Sequence, residues 1–254
     1  EMARAIYREW FVKFRYPGYE DVPLVDSALG PIPEGWGIET IAAIATGERN
    51  AIAGGPFGSK LGRKDYLPSG VPVLRGANLR LGGGFDESDY VFVAEAKAAE
   101  LRSAWARRGD IVVTQRGTLG QIGRIPVGSK FEVYVLSQSQ MKVTVDDRRA
   151  APSFVYMQLS SPDVTRRFVA QAITTGVPHV NLGILREFPL LVPPFDVQLL
   201  FSQSVEPLLE HVDRLNAKSA RLAALRDLIL PKLVTGQIDV STLDLDALVE
   251  GQVA

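Results

Sequence analysis

Four loops in the middle of the chain combine glycine with side chains that can form hydrogen bonds to nucleic acid bases. They are Gly55-Pro-Phe-Gly-Ser-Lys60, Arg75-Gly-Ala-Asn78, Gln115-Arg-Gly-Thr118 and Ser137-Gln-Ser-Gln140. Arginine can donate two hydrogen bonds to guanine O6 and N7, and asparagine or glutamine can pair with adenine N6 and N7. Glycines let one backbone approach another closely. The pattern therefore predicts a surface that faces a DNA groove, although each loop taken singly could be a simple turn.

Base contacts and phosphate contacts call for different side chains, so we divide the candidates into two sets. The residues expected to read bases are Arg75, Asn78, Gln115, Arg116 and Gln138. The residues expected to contact the DNA backbone are Phe57, Ser59, Lys60, Arg107, Arg108, Thr118 and Arg124. Phosphate contacts would set the register of the protein on the duplex, and base contacts would supply the sequence preference.

The charge distribution agrees with this surface, whereas the net charge of −1 does not indicate a partner. Residues 36–150 carry 16 Lys and Arg against 12 Asp and Glu. A protein that binds phosphates needs a local excess of cations, not a basic composition throughout. A solvated charged face is the alternative interpretation of the same excess.

Enzyme motifs are incomplete in this sequence. The stretch that begins at Gly54 lacks the Gly-Lys-Ser/Thr ending of a phosphate-binding loop. Neither of the two histidines, His179 and His211, has neighbours that suggest a catalytic triad or a metal site. The chain contains no cysteine, which excludes disulfides and thiolate metal sites. We therefore expect no catalytic residue, no metal and no cofactor on this chain.

Short strands separated by glycine and proline must position the four loops. Runs of β-branched and aromatic residues predict strands over 71–75, 90–93, 110–114, 121–125, 133–136 and 140–145. Helices are predicted over 153–159 and 163–174. The predicted fold class is therefore α+β, with a mixed, curved β-sheet in a domain that spans residues 36–195.

A long coiled-coil helix is predicted after this domain, over residues 196–236. Asp196 is a suitable N-cap, and Gly236 is a suitable stop. Between them, apolar residues recur at spacings of three and four, as in a coiled coil. They are Val205, Leu208, Val212, Leu215, Leu222, Ile229 and Leu233, which would span roughly 42 Å. This stripe predicts pairing with another helix.

The two ends of the chain are assigned from the same patterns. Met2, Ile6, Trp10 and Phe14 repeat every four residues, so residues 1–16 are interpreted as the end of a helix whose beginning is missing. Residues 17–35 form a proline-containing linker, and residues 237–254 form an acidic tail. No apolar run of 18 residues and no secretion signal occurs, so we expect no membrane association and a cytoplasmic location.

An ordered series of motifs resembles the specificity subunits of Type I restriction–modification systems. The motifs are Trp10-Phe-Val-Lys-Phe14, Gly30-Pro-Ile-Pro-Glu-Gly-Trp36, Gly55-Pro-Phe-Gly-Ser59, Gly70-Val-Pro-Val-Leu-Arg-Gly-Ala-Asn78, Gly109-Asp-Ile-Val-Val-Thr114, Gly117-Thr-Leu-Gly120, Val192-Pro-Pro-Phe-Asp-Val-Gln198 and the closing stretch 222–239. Together they extend over essentially the whole chain. They correspond to one target-recognition domain with its distal spacer helix, whereas a full subunit of the family has two of each. The chain is then the C-terminal half of a longer subunit, or a half-subunit that dimerises.

The resemblance implies a non-catalytic subunit that recognises one half of a bipartite site in double-stranded DNA. It also implies that methyltransferase subunits carrying S-adenosylmethionine dock on the chain, and that motor and nuclease subunits join for cleavage. A second recognition half, in the same chain or in a second copy, would pair through the long helix. Two alternatives remain open. One is the recognition domain of an adenine methyltransferase or nuclease fusion, and the other is a coiled-coil adaptor that does not bind DNA.

Overall fold

The computed structural model describes residues 1–238, which contain twelve short strands and seven α-helices. The strands are β1 (Leu24–Val25), β2 (Ile32–Pro33), β3 (Gly37–Thr40), β4 (Ile52–Gly54), β5 (Val71–Leu74), β6 (Val91–Val93), β7 (Trp105–Arg107), β8 (Ile111–Thr114), β9 (Ile122–Arg124), β10 (Val133–Leu136), β11 (Gln140–Val143) and β12 (Pro189–Val192). The helices are α1 (Met2–Tyr7), α2 (Ile41–Ile44), α3 (Glu95–Glu100), α4 (Pro152–Leu159), α5 (Pro162–Ala170), α6 (Leu182–Glu187) and α7 (Phe195–Val234). The chain divides into two units, Glu1–Asp213 and Arg214–Ala254, which are described separately.

Two four-stranded sheets form the centre of the first unit. One has the order β6-β5-β10-β7, in which β5 and β10 are parallel and the other pairs are antiparallel. The other has the order β4-β11-β8-β9 and is antiparallel throughout. Two-stranded pairs, β1 with β2 and β12 with β3, lie outside these sheets. The predicted α+β class with mixed, curved sheets and a long C-terminal helix is confirmed.

Three apolar layers hold the sheets in place. Leu74, Val112 and Tyr134 belong to a cluster between the two sheets. The alternate residues of the first sheet, such as Val73, pack with Leu101 just after α3 on its other face. The outer face of the second sheet packs against helices in the largest cluster. Because β8 is covered on both faces, all four of its residues are buried, which explains why its first three residues, Ile111-Val-Val113, do not alternate between apolar and polar.

The N-terminal helix packs into this largest cluster. After α1 the chain continues as a π-helical turn over Arg8–Val12. The ring of Phe11 lies 4.7 Å from that of Phe154 and 4.9 Å from that of Phe201, measured between centroids. Tyr7 and Phe11 are buried, whereas Met2 is 66% exposed. The buried face of this segment therefore contains Tyr7 and Phe11, each one residue after Ile6 and Trp10 of the predicted apolar stripe.

The first part of α7 belongs to the core of the first unit. Val197, Phe201 and Val205 are all buried there. The assignment of Val205 to helix pairing is therefore wrong, since its side chain is fully covered by the protein itself. Leu208 is half-buried, and Val212 is 51% exposed.

The second unit is described only as far as residue 238, so most of the predicted tail over 237–254 lies outside the described residues. In its part of α7 the remaining predicted seam residues are exposed to solvent. Leu215 is 51%, Leu222 56%, Ile229 41% and Leu233 37% exposed. Among residues 1–238, no helix has the length and apolar character needed to cross a membrane.

Candidate nucleic-acid interface

The direction of the strands brings the four predicted loops to one edge of the two sheets. β5 and β10 run in parallel and end side by side, where the backbone N–H of Ser137 donates to the carbonyl of Leu74 at 2.8 Å. β11 runs back from that turn, and β4 and β8 are both antiparallel to β11, so they end at the same place. We call this side of the sheets the loop edge, formed by residues 55–60, 75–78, 115–118 and 137–139.

Hydrogen bonds between the loops fix their relative positions. The backbone N–H of Gln115 donates to the carbonyl of Ser139 at 2.8 Å, and its side-chain amide donates to the carbonyl of Gln138 at 2.5 Å. The side-chain amide of Gln138 donates to the carbonyl of Gly58 at 3.1 Å. A Cβ atom on Gly55 would lie 1.8 Å from the carbonyl oxygen of Ser137, so this approach is possible only for glycine.

Several of the predicted DNA-contacting side chains project from the loop edge into solvent. Phe57 is 65% exposed, and Ser59, Lys60, Arg116 and Thr118 are also exposed. Within residues 1–238, neither Lys60 nor Arg116 forms an ion pair. These cations therefore remain available to an anionic partner.

Arg75 is held in place by a neighbouring carboxylate. One nitrogen of its guanidinium, Nη2, lies 3.0 Å from the carboxylate of Asp89 and donates to the Asp89 carbonyl at 3.3 Å. Its side chain is 29% exposed, so part of the fork faces solvent. A guanidinium oriented in this way loses less conformational entropy when it forms a further hydrogen bond.

Asn78 is a buried support for the Arg75 loop, so its assignment as a base reader is wrong. Its side chain is 0% exposed. The Oδ1 atom accepts from the backbone N–H of Arg75 at 2.9 Å, and Nδ2 donates to the carbonyls of Asp86 at 3.1 Å and Asp89 at 3.0 Å. These bonds leave no route from the amide to a base edge.

The assignment of Gln115 as a base reader is also wrong, because its side chain is buried and bonded within the protein. It is 7% exposed, and its side-chain amide is used in the bond to the carbonyl of Gln138. Gln138 itself is half-buried and keeps its place among the candidate base readers. Both glutamines join loops through their side-chain amides, but only Gln138 is also partly exposed at the surface.

The predicted phosphate ligands Arg107, Arg108 and Arg124 lie at the opposite edge of the sheets, so they do not belong to the loop edge. Arg107 ends β7, beside the start of β10, and Arg124 ends β9, beside the start of β8. Arg108 donates to the carbonyl of Ser129 at 2.6 Å. The topology separates these arginines from the four loops.

Arg124 is also occupied by partners within the protein. Its side chain is 6% exposed, and Nη1 lies 2.8 Å from a carboxylate oxygen of Glu206. Its guanidinium also lies over the ring of Tyr156 at 5.9 Å from the centroid. Burial raises the pKa of the nearby Asp213 to about 6, while the charge of Arg124 partly opposes that shift. Arg124 is therefore a structural residue and not a phosphate ligand.

A large cavity of about 880 Å³ also lies at this opposite edge, where Arg108, Phe195 and Leu199 contribute to its lining. Beside it, Lys142 Nζ lies 2.9 Å from the carboxylate of Asp110 in a buried ion pair, and the hydroxyl of Thr144 donates to the same carboxylate at 2.5 Å. Because this network satisfies its own charges, it is structural. In the described part of the chain, no group of three or more His, Cys, Asp and Glu side chains could hold a metal ion.

Sequence reasoning missed two features of the loop edge. Arg63 and Lys64 lie in an exposed 3₁₀ turn directly after the first loop. Neither forms an ion pair with any part of the chain described by the structure. The sequence Lys60-Leu-Gly-Arg-Lys64 contains three cations in five residues, and this density was the signal that could have revealed the turn.

The second missed feature is a fifth loop, around His179. Residue 179 pairs with Arg116 in an isolated β-bridge, and the N–H of Val180 donates to the carbonyl of Gln115 at 2.9 Å. A cleft of about 350 Å³ lies between this loop and the loop edge, and Phe57 forms part of its wall. No local sequence pattern signals this contact, because it joins residues about sixty positions apart.

Curated relatives support the resemblance drawn from the sequence. The Type I restriction enzyme MjaIX specificity subunit of Methanocaldococcus jannaschii is 20% identical over 244 residues, which is 96% of this chain and 54% of that protein. The HindI specificity subunit of Haemophilus influenzae is 23% identical over 104 residues, 40% of this chain and 22% of that protein. The chain thus spans about half the length of the first of these relatives. No protein-family profile matches the chain.

Solved structures show the same fold. The S subunit of a Type I restriction-modification system from M. genitalium has a TM-score of 0.57 at 16% identity, over 91% of this chain and 52% of that one. A chain solved in work on the assembly and conformational transition of the type I R-M system has a TM-score of 0.50 at 14% identity, over 91% of this chain and 51% of that one. The resemblance to Type I specificity subunits is confirmed.

Proposed function

We propose that this chain reads one half of a split DNA sequence for a Type I restriction–modification complex, as the recognition half of a specificity subunit. The observation that carries this proposal is the convergence of four glycine-containing loops, rich in hydrogen-bonding side chains, at one edge of two sheets. The similarity to named specificity subunits supports the same function.

In this proposal the exposed cations flanking the edge contact phosphates. Lys60, Arg63 and Lys64 follow one another along the first loop and its turn. They would set the position of the duplex without regard to its sequence, since phosphates are the same at every base pair. Ser59 and Thr118 would add hydroxyl contacts to phosphate or base.

Base reading falls to the loop-edge side chains that face solvent. Arg75, Arg116 and Gln138 remain from the predicted set after Asn78 and Gln115 are removed. Arg75 would donate to a guanine through Nη1, because Nη2 is bonded to Asp89 and Nε is buried. Gln138 would present its remaining amide atoms to an adenine.

The second unit supplies a surface for pairing with the other recognition half. Its part of α7 exposes the stripe of Leu215, Leu222, Ile229 and Leu233 to solvent. An apolar stripe on a helix is stabilised when another helix covers it, as in a coiled coil. The partner helix would come from a second recognition half, in the same polypeptide or in a second copy.

Catalysis would then belong to partner subunits. Methyltransferase subunits would carry S-adenosylmethionine and dock on this chain, and motor and nuclease subunits would join for cleavage. The chain itself would contribute recognition, with no catalytic residue and no cofactor of its own. These partners are proposed from the resemblance.

Selection of duplexes from a random DNA library by the purified chain tests the recognition proposal. We expect enrichment of one short sequence, and an affinity that falls steeply with salt because bound cations displace counterions from phosphates. A coiled-coil adaptor would show neither behaviour. Equal recovery of all sequences with no salt dependence would overturn the proposal.

Light scattering tests the helix-pairing proposal. The double variant Leu215→Asp with Leu222→Asp should reduce the mass of the assembled species, because it places charges on the seam. Leu228→Asp is the matched control, since Leu228 is 59% exposed but lies off the seam. An unchanged mass for the double variant would exclude this stripe as the pairing surface.

A further inference from the structure

The cleft beside the fifth loop combines a hydrogen-bond donor, an aromatic side chain and an imidazole at the loop edge. Its walls include Phe57 from the first loop, Arg116 from the end of β8, and His179 and Asn181 from the fifth loop. The volume is about 350 Å³. No role was predicted for His179 from the sequence, and the proposed function does not use it.

The backbone of residue 179 is fixed on both sides. Ile173 and His179 exchange two backbone hydrogen bonds of 2.8 and 3.1 Å, which close a small hairpin. The isolated bridge to Arg116 then joins that hairpin to the end of β8. The side chains of Arg116 and His179 are therefore held beside each other at the cleft.

One hydrogen bond determines which imidazole nitrogen carries the proton. Nδ1 of His179 lies 3.0 Å from the carbonyl oxygen of Val177. A carbonyl oxygen can only accept, so Nδ1 must donate and must carry hydrogen. In the neutral ring this leaves Nε2 as an acceptor.

We infer that His179 is a specificity-determining residue that recognises adenine together with Arg116. In the major groove adenine presents an acceptor, N7, beside a donor, the N6 amino group. Arg116 would donate to N7, and His179 Nε2 would accept from N6. Guanine presents two acceptors there, which do not match a donor beside an acceptor.

Phe57 favours the same base pair from the other wall of the cleft. Its ring is 65% exposed, so it is accessible to a partner. The thymine opposite adenine carries a methyl group in the major groove, and phenylalanine is one of the residues that contact it. The three side chains thus match three of the four groups that an A·T pair displays in the major groove, namely N7, the N6 amino group and the thymine methyl group. This inference rests on the proposed DNA-reading function.

Duplexes with single-atom changes in the adenine test the inference. First, selection with the wild-type chain defines the preferred sequence. Then each adenine is replaced by purine lacking the 6-amino group, or by 7-deazaadenine, which lacks the N7 acceptor. At one adenine, we expect each replacement to weaken wild-type binding by about fivefold or more, the effect of one lost hydrogen bond.

Variants assign each lost bond to its side chain. In His179→Phe, removal of the amino group should no longer matter, while removal of N7 should still weaken binding. In Arg116→Ala the pattern should reverse. His179→Gln keeps an acceptor and should retain part of the sensitivity to the amino group. His211→Phe is the matched control, because His211 is an exposed histidine on α7, and it should behave as wild type.

The outcomes separate this inference from the proposed function. If the wild-type chain selects no sequence, both are overturned. If it selects a sequence but no adenine is sensitive to both replacements, or if His179→Phe responds to amino-group removal as wild type does, only the adenine assignment is overturned. Because the replacement experiment on wild type needs no variant, it stands even if His179→Phe does not fold.

Discussion

Substitution of Asn78 by alanine separates a structural role from a recognition role at the loop edge. The side chain is 0% exposed and forms three hydrogen bonds, one with the N–H of Arg75 and two with the carbonyls of Asp86 and Asp89. Alanine would leave these three groups without their partner. Each buried polar group left unsatisfied costs about 1–3 kcal/mol, and water would reach some of them, so we expect a total loss of about 2–4 kcal/mol.

Urea denaturation followed by circular dichroism measures this loss as a lower free energy of unfolding. The matched control is Arg116→Ala, which should change the free energy of unfolding by less than about 0.5 kcal/mol because the side chain is exposed. In sequence selection the order of the two variants should reverse. Arg116→Ala should lose the preference for a base at one position of the DNA site, whereas Asn78→Ala should not lose the preference at any single position. The reasoning would be refuted if Asn78→Ala unfolded like wild type and yet lost the preference for a single base.

Three further changes test other parts of the account. Lys60→Ala should weaken binding to all duplexes alike and lower the slope of log affinity against log salt by about one unit. Arg107→Ala, at the opposite edge, should change neither the affinity nor the slope. Equal effects of the two substitutions would contradict the assignment of phosphate contacts to the loop edge. Gly55→Ala should lower the free energy of unfolding by about 2 kcal/mol or more, because its Cβ would lie 1.8 Å from a carbonyl oxygen. The control is Gly62→Ala, whose Cβ would meet no atom within 4 Å, so the free energy of unfolding should be nearly unchanged. Burial raises the pKa of Asp213 to about 6 from 3.8, so the folded state holds this proton more tightly than the unfolded state and loses stability as pH rises between these values. This shift corresponds to about 3 kcal/mol at pH 8, which solvent screening of the partly exposed Asp213 reduces to about 1 kcal/mol. Asp213→Asn should therefore raise the free energy of unfolding by about 1 kcal/mol at pH 8 and change it little near pH 4. An equal gain at both pH values in urea titrations would contradict this cause.

Local sequence patterns were sufficient for the central strands and the long helix. Runs such as 110–114 and 133–136 are rich in β-branched residues and correspond closely to β8 and β10. The short strands β4 (Ile-Ala-Gly) and β7 (Trp-Ala-Arg) were missed, because each contains only one β-branched or aromatic residue. The pair β3 with β12 joins distant segments, so no local pattern signals it.

The structure brings the four predicted loops together, and their contact with DNA stays a prediction. Four loops chosen by composition do converge, because parallel β5 and β10 end where antiparallel β4 and β8 end. The directions of the strands also place Arg107 and Arg108 at the other edge, and these directions were not known from the sequence. Asn78 and Gln115 were misassigned because burial depends on segments that are distant in the chain, which residue type alone does not reveal.

Val205 was misassigned for a similar reason, since the sequence of a helix does not reveal which of its apolar residues the protein itself covers. The spacing of apolar residues along 205–233 is uniform, yet the start of α7 is buried in the first unit, whereas Leu222 is exposed in the second. An apolar stripe indicates that something covers the helix but does not say whether the cover comes from the same chain. For this reason the seam available for pairing is shorter than the sequence suggested.

Amide hydrogen exchange, with and without the selected duplex, tests most directly whether DNA lies on the loop edge. We predict slower exchange in bound protein over 55–60, 115–118, 137–139 and 173–181, where loops would be covered. The segment 107–109 at the opposite edge should exchange at the same rate in both states. Protection of 107–109 with unchanged exchange in the loops would contradict the proposed reading surface.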